Sequence, residues 1–137
     1  EALSETIDGK PLIDQLLEPT RIYVNALSSL TRIITVKGFA HITGGGLTEN
    51  IPRVLPDGLG VALRQAAWCT PPVFQWIQSQ GVARDEMLRT FNCGIGMVAI
   101  VAADATETTL ASLTANGEQA WSIGEVIKSQ GDRVIVD

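Results

Sequence analysis

A chain of 137 residues is long enough for one domain that buries roughly two thirds of its unfolded surface, so a core can form without disulfide or metal support. Hydrophobic residues make up 45% of the chain and aromatics only 5%, which predicts an aliphatic core drawn from runs such as Met97 to Val101 and Val134 to Val136. The net charge of −5, with no basic cluster, excludes the electrostatic footprint of a nucleic-acid binder, and Glu1, Glu5, Asp8, Asp14 and Glu18 read as solubilising acids.

The chain opens at Glu1 without an initiator methionine and runs into a polar, linker-like stretch from Glu5 to Lys10, so a piece of a longer protein is expected. Leu12, Ile13, Leu16 and Leu17 recur at helical spacing, and Pro19 stops that short helix. Arg21 to Val24 reads as a first strand. Leu27, Leu30 and Ile34 then line one face of a helix ending near Gly38, and Phe39 to Ile42 suits a buried strand. After three glycines, Glu49 to Leu55 forms a short helix with Pro52 in its first turn, and Pro56-Asp57-Gly58 is a turn.

Gly60 to Leu63 is the next strand. Thr70-Pro71-Pro72 then combines a capping hydroxyl with prolines at the start of a helix whose face is Val73, Phe74 and Ile77. A second helix runs from Arg84 to Phe91, and the β-branched run from Met97 to Ala103 predicts a strand. Asp104 and Glu107 form an acidic capping box for a helix that Asn116-Gly117 ends. Two last strands, Ser122 to Ile127 and Arg133 to Val136, are joined through Gln130-Gly131-Asp132. The pattern is α+β in a single domain, with a mixed sheet flanked by helices and no internal repeat.

Chemistry concentrates at His41-Ile42-Thr43-Gly44-Gly45-Gly46, between a predicted strand and a predicted helix. Glycines let backbone amides turn toward an anion, Thr43 adds a hydroxyl, and His41 can donate or shuttle a proton. A tight, ligand-free turn with a core histidine accounts for the residues equally well. No Gly-Lys-Ser/Thr follows, so this is not a Walker loop.

Arg53 shares a helix face with Asn50 and can clamp an anion, or pair with Glu49 on a solvated surface. Gly94-Ile95-Gly96-Met97-Val98-Ala99 matches GxGxxA, but a helix precedes it and a strand follows, the reverse of a dinucleotide fold. Asn92 and Cys93 sit at that strand's mouth, where Cys93 reads as a buried, inert thiol. Cys69 and Cys93 form no CxxC pair, which points to a reducing compartment while leaving a disulfide between them open. One histidine excludes a multi-histidine metal centre, and no metal site is assigned. No run approaches the roughly 20 apolar residues of a membrane span, and no signal peptide opens the chain, so the cytoplasm is the expected compartment.

Several stretches carry a family resemblance: Gly38 to Gly46 followed by Glu49 to Pro56; Leu17-Glu18-Pro19-Thr20-Arg21-Ile22-Tyr23-Val24; Arg89 to Met97; and Asn116-Gly117-Glu118 with Ala120-Trp121 and Ile123-Gly124. Together they resemble the carboxy-terminal domain of phosphoribosylformylglycinamidine cyclo-ligases, the aminoimidazole ribonucleotide synthetases. The resemblance implies purine biosynthesis: ATP activates the formyl oxygen of formylglycinamidine ribonucleotide, an amidine nitrogen closes the imidazole ring, and ADP and phosphate leave.

It further implies that residues 1–18 are a linker and short helix from an amino-terminal domain, that 19–137 are the carboxy-terminal domain, and that the complete enzyme is a homodimer. ATP and Mg2+ would be bound mainly by the amino-terminal domain, so the chain alone is expected to be inactive. His41 and Thr43 would be catalytic, and Gly44, Gly45 and Gly46 would bind the phosphoribosyl substrate or transferred phosphate, with Asn92 and Arg53 either binding or bracing the loop. Alternatives are a non-catalytic phosphoribosyl-binding module, or another ATP-dependent enzyme of the superfamily such as the formylglycinamide ribonucleotide amidotransferase.

Overall fold

Asp8 and Gly9 both take positive φ, 51° and 75°, which closes a tight hairpin between strands β1 (Thr6–Ile7) and β2 (Lys10–Pro11). The polar stretch expected to be linker-like is therefore folded. The computed structural model describes residues 4–137, so Glu1 lies outside the described residues. Helix α1 (Leu12–Leu16) follows at once, with Leu12 fully buried and its amide donating to the Glu5 carbonyl at 2.8 Å. Trp76 Nε1 donates to Glu5 Oε2 at 2.8 Å, which ties the hairpin to helix α4 (Pro72–Ser79).

The strand predicted over Arg21 to Val24 does not form. Val24 instead begins helix α2 (Val24–Thr31), and Ile22 is 83% exposed, with no sheet beside it to reward its β-branched shape. Helix α2 ends at Thr31, well before Gly38, after the Ile33 and Ile34 amides both fold back onto the Leu30 carbonyl.

Strand β3 (Gly38–His41) pairs antiparallel with β5 (Met97–Ile100), placing His41 opposite Met97. The third sheet is mixed: β4 (Leu59–Leu63) lies between antiparallel β6 (Gly124–Lys128) and parallel β7 (Val134–Val136). The last two strands thus flank β4 rather than pairing with each other. Arg133 secures that arrangement, its guanidinium donating to the Leu55, Pro56 and Leu59 carbonyls at 2.9 Å each.

Two predicted caps are not made. No side chain caps α4, where Thr70 offers its carbonyl to Gln75, and none caps α6 (Thr106–Ala115), which follows a 3-10 turn at Ala103–Ala105. The predicted end of α6 is present: Gly117 takes φ 82° while the Gly117 and Glu118 amides return to the Thr114 and Leu113 carbonyls.

The core is centred on Ala40, Ile42, Leu47, Ile51, Val61, Leu63 and Leu88, with Trp68 donating to the Cys93 carbonyl at 3.0 Å. The run Met97 to Val101 supplies its half-buried margin instead of its centre, and in Val134 to Val136 the two valines are half-buried while Ile135 is exposed on the edge strand β7. Between the sheets and the pair α2 and α6 lies an open groove of about 1000 Å³, lined in part by Tyr23, Val54, Ile100, Leu113 and Trp121. Among the described residues no helix is long and apolar enough to cross a membrane.

Helix α3 (Gly46–Asn50) continues into a 3-10 turn at Ile51–Val54 and packs on α5 (Arg84–Thr90). The approach is close enough that a Cβ on Gly46, whose φ is 55°, would overlap the Leu88 carbonyl. Gly46→Ala is expected to cost about 3 kcal/mol through strain and overpacking, read as a lower urea midpoint at unchanged m. A midpoint equal to wild type would show that α3 and α5 do not meet there.

Candidate functional site

His41 ends β3, and the chain leaves the sheet through Ile42, whose amide donates to the Gly96 carbonyl at 2.9 Å. Ile42 is buried while His41, Thr43 and Gly44 are exposed, so the apolar residue pins the loop to the core and the polar ones face outward. Gly45 takes φ 98° and Gly46 starts α3, giving the turn a backbone that L side chains rarely adopt.

Asn50 sets the electrostatics of this turn. Only 5% exposed, it directs Nδ2 at the Gly46 carbonyl at 2.8 Å and at the Thr43 and Gly44 carbonyls at 3.3 Å. Its Oδ1 accepts from Arg53 Nη1 at 3.1 Å, while Arg53 Nη2 lies a loose 3.8 Å from Glu49 Oε2. Loop carbonyls are thereby drawn inward. Among the described residues, no acceptor is recorded for the amides of Thr43, Gly44 and Gly45. The Gly46 amide is spent on the Thr43 carbonyl at 3.0 Å, and Gly46 lies buried against α5.

The structure therefore brings His41, Thr43, Gly44 and Gly45 onto one exposed turn, with Gly46 and Arg53 behind it as packing and brace. Asn92 is half-buried, and its Oδ1 accepts from the Gly94 amide at 3.0 Å, shaping the turn that leads to β5. Cys93, with φ 49°, is buried and donates to the Met87 carbonyl at 3.5 Å. Burial pushes its thiol pKa up, which suits packing and not nucleophilic attack. Both cysteines are free, Cys69 at the surface and Cys93 in the core.

Two contributors were missed at the level of sequence. Asn50 is evident there only as a neighbour of Arg53, although a carboxamide about one helical turn after Gly46 is placed to reach back to the loop carbonyls. Tyr23 was assigned to a strand, yet its ring meets the His41 imidazole edge to face, with centroids 6.2 Å apart and planes at 75°. The groove reaches Tyr23 and Gly96 but is not lined by His41 or the three loop glycines, so the polar chemistry sits outside it.

The whole chain, residues 1–137, matches the family model for the AIR synthase related protein, C-terminal domain. Among curated relatives, it is 53% identical over 98% of its length to the phosphoribosylformylglycinamidine cyclo-ligase of Cupriavidus pinatubonensis, and 56% identical over 90% to that of Methylobacillus flagellatus. It spans 39% and 36% of those two proteins. Among solved structures, one of HypE from Escherichia coli, a hydrogenase maturation protein, aligns with 91% of the chain and 39% of its own at TM-score 0.65 and 26% identity. A second HypE structure, at 24% identity and TM-score 0.66, covers 91% of the chain and 40% of its own and shares the fold.

Replacing Asn50 by Leu keeps the volume but leaves the buried Gly46 carbonyl without its 2.8 Å donor. Stability should fall by about 1–3 kcal/mol, and hydrogen exchange at the Gly46 amide should accelerate beyond the global loss. Wild-type exchange at Gly46 would show that the turn does not need the Asn50 amide.

Proposed function

The chain belongs to the AIR synthase related protein, C-terminal domain family, and from that membership we propose that it forms the carboxy-terminal half of an ATP-dependent phosphoribosylformylglycinamidine cyclo-ligase. In this reading residues 19–137 are the domain proper and residues 1–18 lead in from an amino-terminal domain. The substrate is formylglycinamidine ribonucleotide, closed to aminoimidazole ribonucleotide with release of ADP and phosphate. The single observation that supports a catalytic role for this face is the inward turn of the loop carbonyls onto Asn50, which leaves neighbouring amides unspent on an exposed turn.

The loop offers what a developing negative charge on phosphate oxygen requires. The Thr43, Gly44 and Gly45 amides are neutral donors held by the fold before substrate arrives, so little reorganisation accompanies charge transfer, and the exposed Thr43 hydroxyl adds a donor beside them. ATP supplies the phosphoryl group that makes the formyl oxygen a leaving group. His41, one residue from the loop on the exposed end of β3, holds or transfers the proton at that oxygen or at the attacking amidine nitrogen. Gly46, Arg53 and Asn92 hold the loop and the neighbouring turn in shape.

Among the described residues no three His, Cys, Asp or Glu side chains stand together. Magnesium and most contacts to ATP are assigned in this proposal to the amino-terminal domain, and no step here runs through the metal. The same reading carries a homodimeric complete enzyme in the cytoplasm and a chain that does not turn over alone.

The test uses the full-length polypeptide with formylglycinamidine ribonucleotide and ATP, following ring closure and ADP. His41→Ala should lower turnover about 10²-fold or more while leaving stability near wild type, as expected for a lost acid or base. Near-normal turnover would demote His41 to a structural role. Gly45→Val places a Cβ 2.7 Å from Glu49 Oε2 at φ 98° and should weaken binding of the phosphorylated substrate. Unchanged affinity would count against the loop as the phosphate cradle.

A further inference from the structure

Tyr23 stands where the amino-terminal segment, β5 and the end of β3 converge. Its ring meets His41, as described. Its phenol oxygen fills the space that a Cβ on Gly96 would need, so any side chain at Gly96 would overlap it. Gly96 is itself bonded to the loop strand through Ile42. The ring thus meets the imidazole and also lies against a bare stretch of backbone that is tied to the same loop.

The segment that delivers Tyr23 is anchored from two directions. Arg21 Nε pairs with Glu118 Oε2 at 2.6 Å, and Arg21 Nη2 donates to the Gly117 carbonyl at 2.7 Å. Both acceptors are in place because the left-handed Gly117 ends α6 and turns the chain back. Two residues after Arg21, the Tyr23 carbonyl accepts from the Leu27 amide at 3.0 Å at the start of α2. A tyrosine has two side-chain torsions, so a backbone held on both sides leaves its ring little freedom.

His41 has no such anchor. Among the described residues its imidazole makes no hydrogen bond or ion pair, and its one aromatic partner is the Tyr23 ring. An exposed imidazole without a hydrogen-bonded partner samples several rotamers, and an edge-to-face aromatic contact shifts that population.

We propose that Tyr23 is a positioning residue, whose ring, lodged against the backbone of Gly96 and tethered through Arg21 to Glu118, selects the His41 rotamer that works beside the glycine loop. This rests on the role proposed for His41. The phenol is suited to the task because burial, and then the nearby Glu118 carboxylate, push its pKa up against the opposing pull of Arg21. It therefore stays neutral at physiological pH and adds no charge beside the imidazole.

The full-length enzyme with histidine labelled at ring carbon Cε1 provides the test, the His41 signal being assigned by its loss in His41→Gln. In Tyr23→Leu that signal should move and kcat should fall by up to about 10²-fold, with KM within roughly twofold. Tyr23→Phe, which keeps the ring, should rescue both. Gly96→Ala displaces the phenol without altering the ring and should move the His41 signal as well, which covers the case of Tyr23→Leu failing to fold. A signal unmoved in both Tyr23→Leu and Gly96→Ala overturns the proposal, as does Tyr23→Phe proving as damaging as Tyr23→Leu. Loss of turnover in His41→Ala with an unmoved signal in Tyr23→Leu overturns the positioning role alone. Normal turnover in His41→Ala overturns the reading on which it rests.

Discussion

One buried carboxamide sets the polarity of the glycine loop. Asn50 faces three main-chain carbonyls with a single NH2 group, its hydrogen bond to Gly46 the shortest, and a peptide unit that turns its C=O inward must turn its N–H the other way. A loop of glycines without that group could rotate its peptides freely and would hold no preferred face toward an anion. Burial matters as much as geometry, because the cost of leaving a carbonyl unpaired away from water makes the arrangement obligatory.

The rest of the fold supports this loop from behind. Helix α5 presses on Gly46, strand β5 fixes His41 by register, the Gly96 carbonyl holds the Ile42 amide, and Arg53 holds the Asn50 oxygen so that the amide keeps its orientation. Apart from the exposed Arg53 guanidinium, these supports are main-chain or buried contacts. An Arg21–Glu118 pair joins residues 97 positions apart in the chain. Its direct electrostatic contribution is modest because the arginine is half exposed, so its value lies in where it holds the chain.

Much of this was legible in the residues. Phe39 to Ile42 as a strand, the Asn116-Gly117 helix stop and the Pro19 helix stop rest on local sterics, and local sterics survive folding. The stretch from Arg21 to Val24 was misread because β-branched and aromatic residues favour a sheet only when a sheet is there to receive them. The polar stretch from Glu5 to Lys10 was read by composition, while its Asp8-Gly9 pair already carried the hairpin signal. The expected caps from Thr70 and from Asp104 and Glu107 failed for a related reason: those helices begin in chain already shaped by proline or by a 3-10 turn.

By itself the sequence determined the class of fold, the place of the glycine turn and the presence of one histidine at its threshold, because spacing and backbone permission are properties of neighbouring residues. Only tertiary structure decided that Asn50 reaches back over the loop, that Gly46 is spent on packing, and that Tyr23 lies against His41 across 18 positions of chain. Those contacts depend on how α3 meets α5 and how the amino-terminal segment meets the turn after α6. Such meetings are settled by the shape and burial of the whole core, which no local pattern encodes.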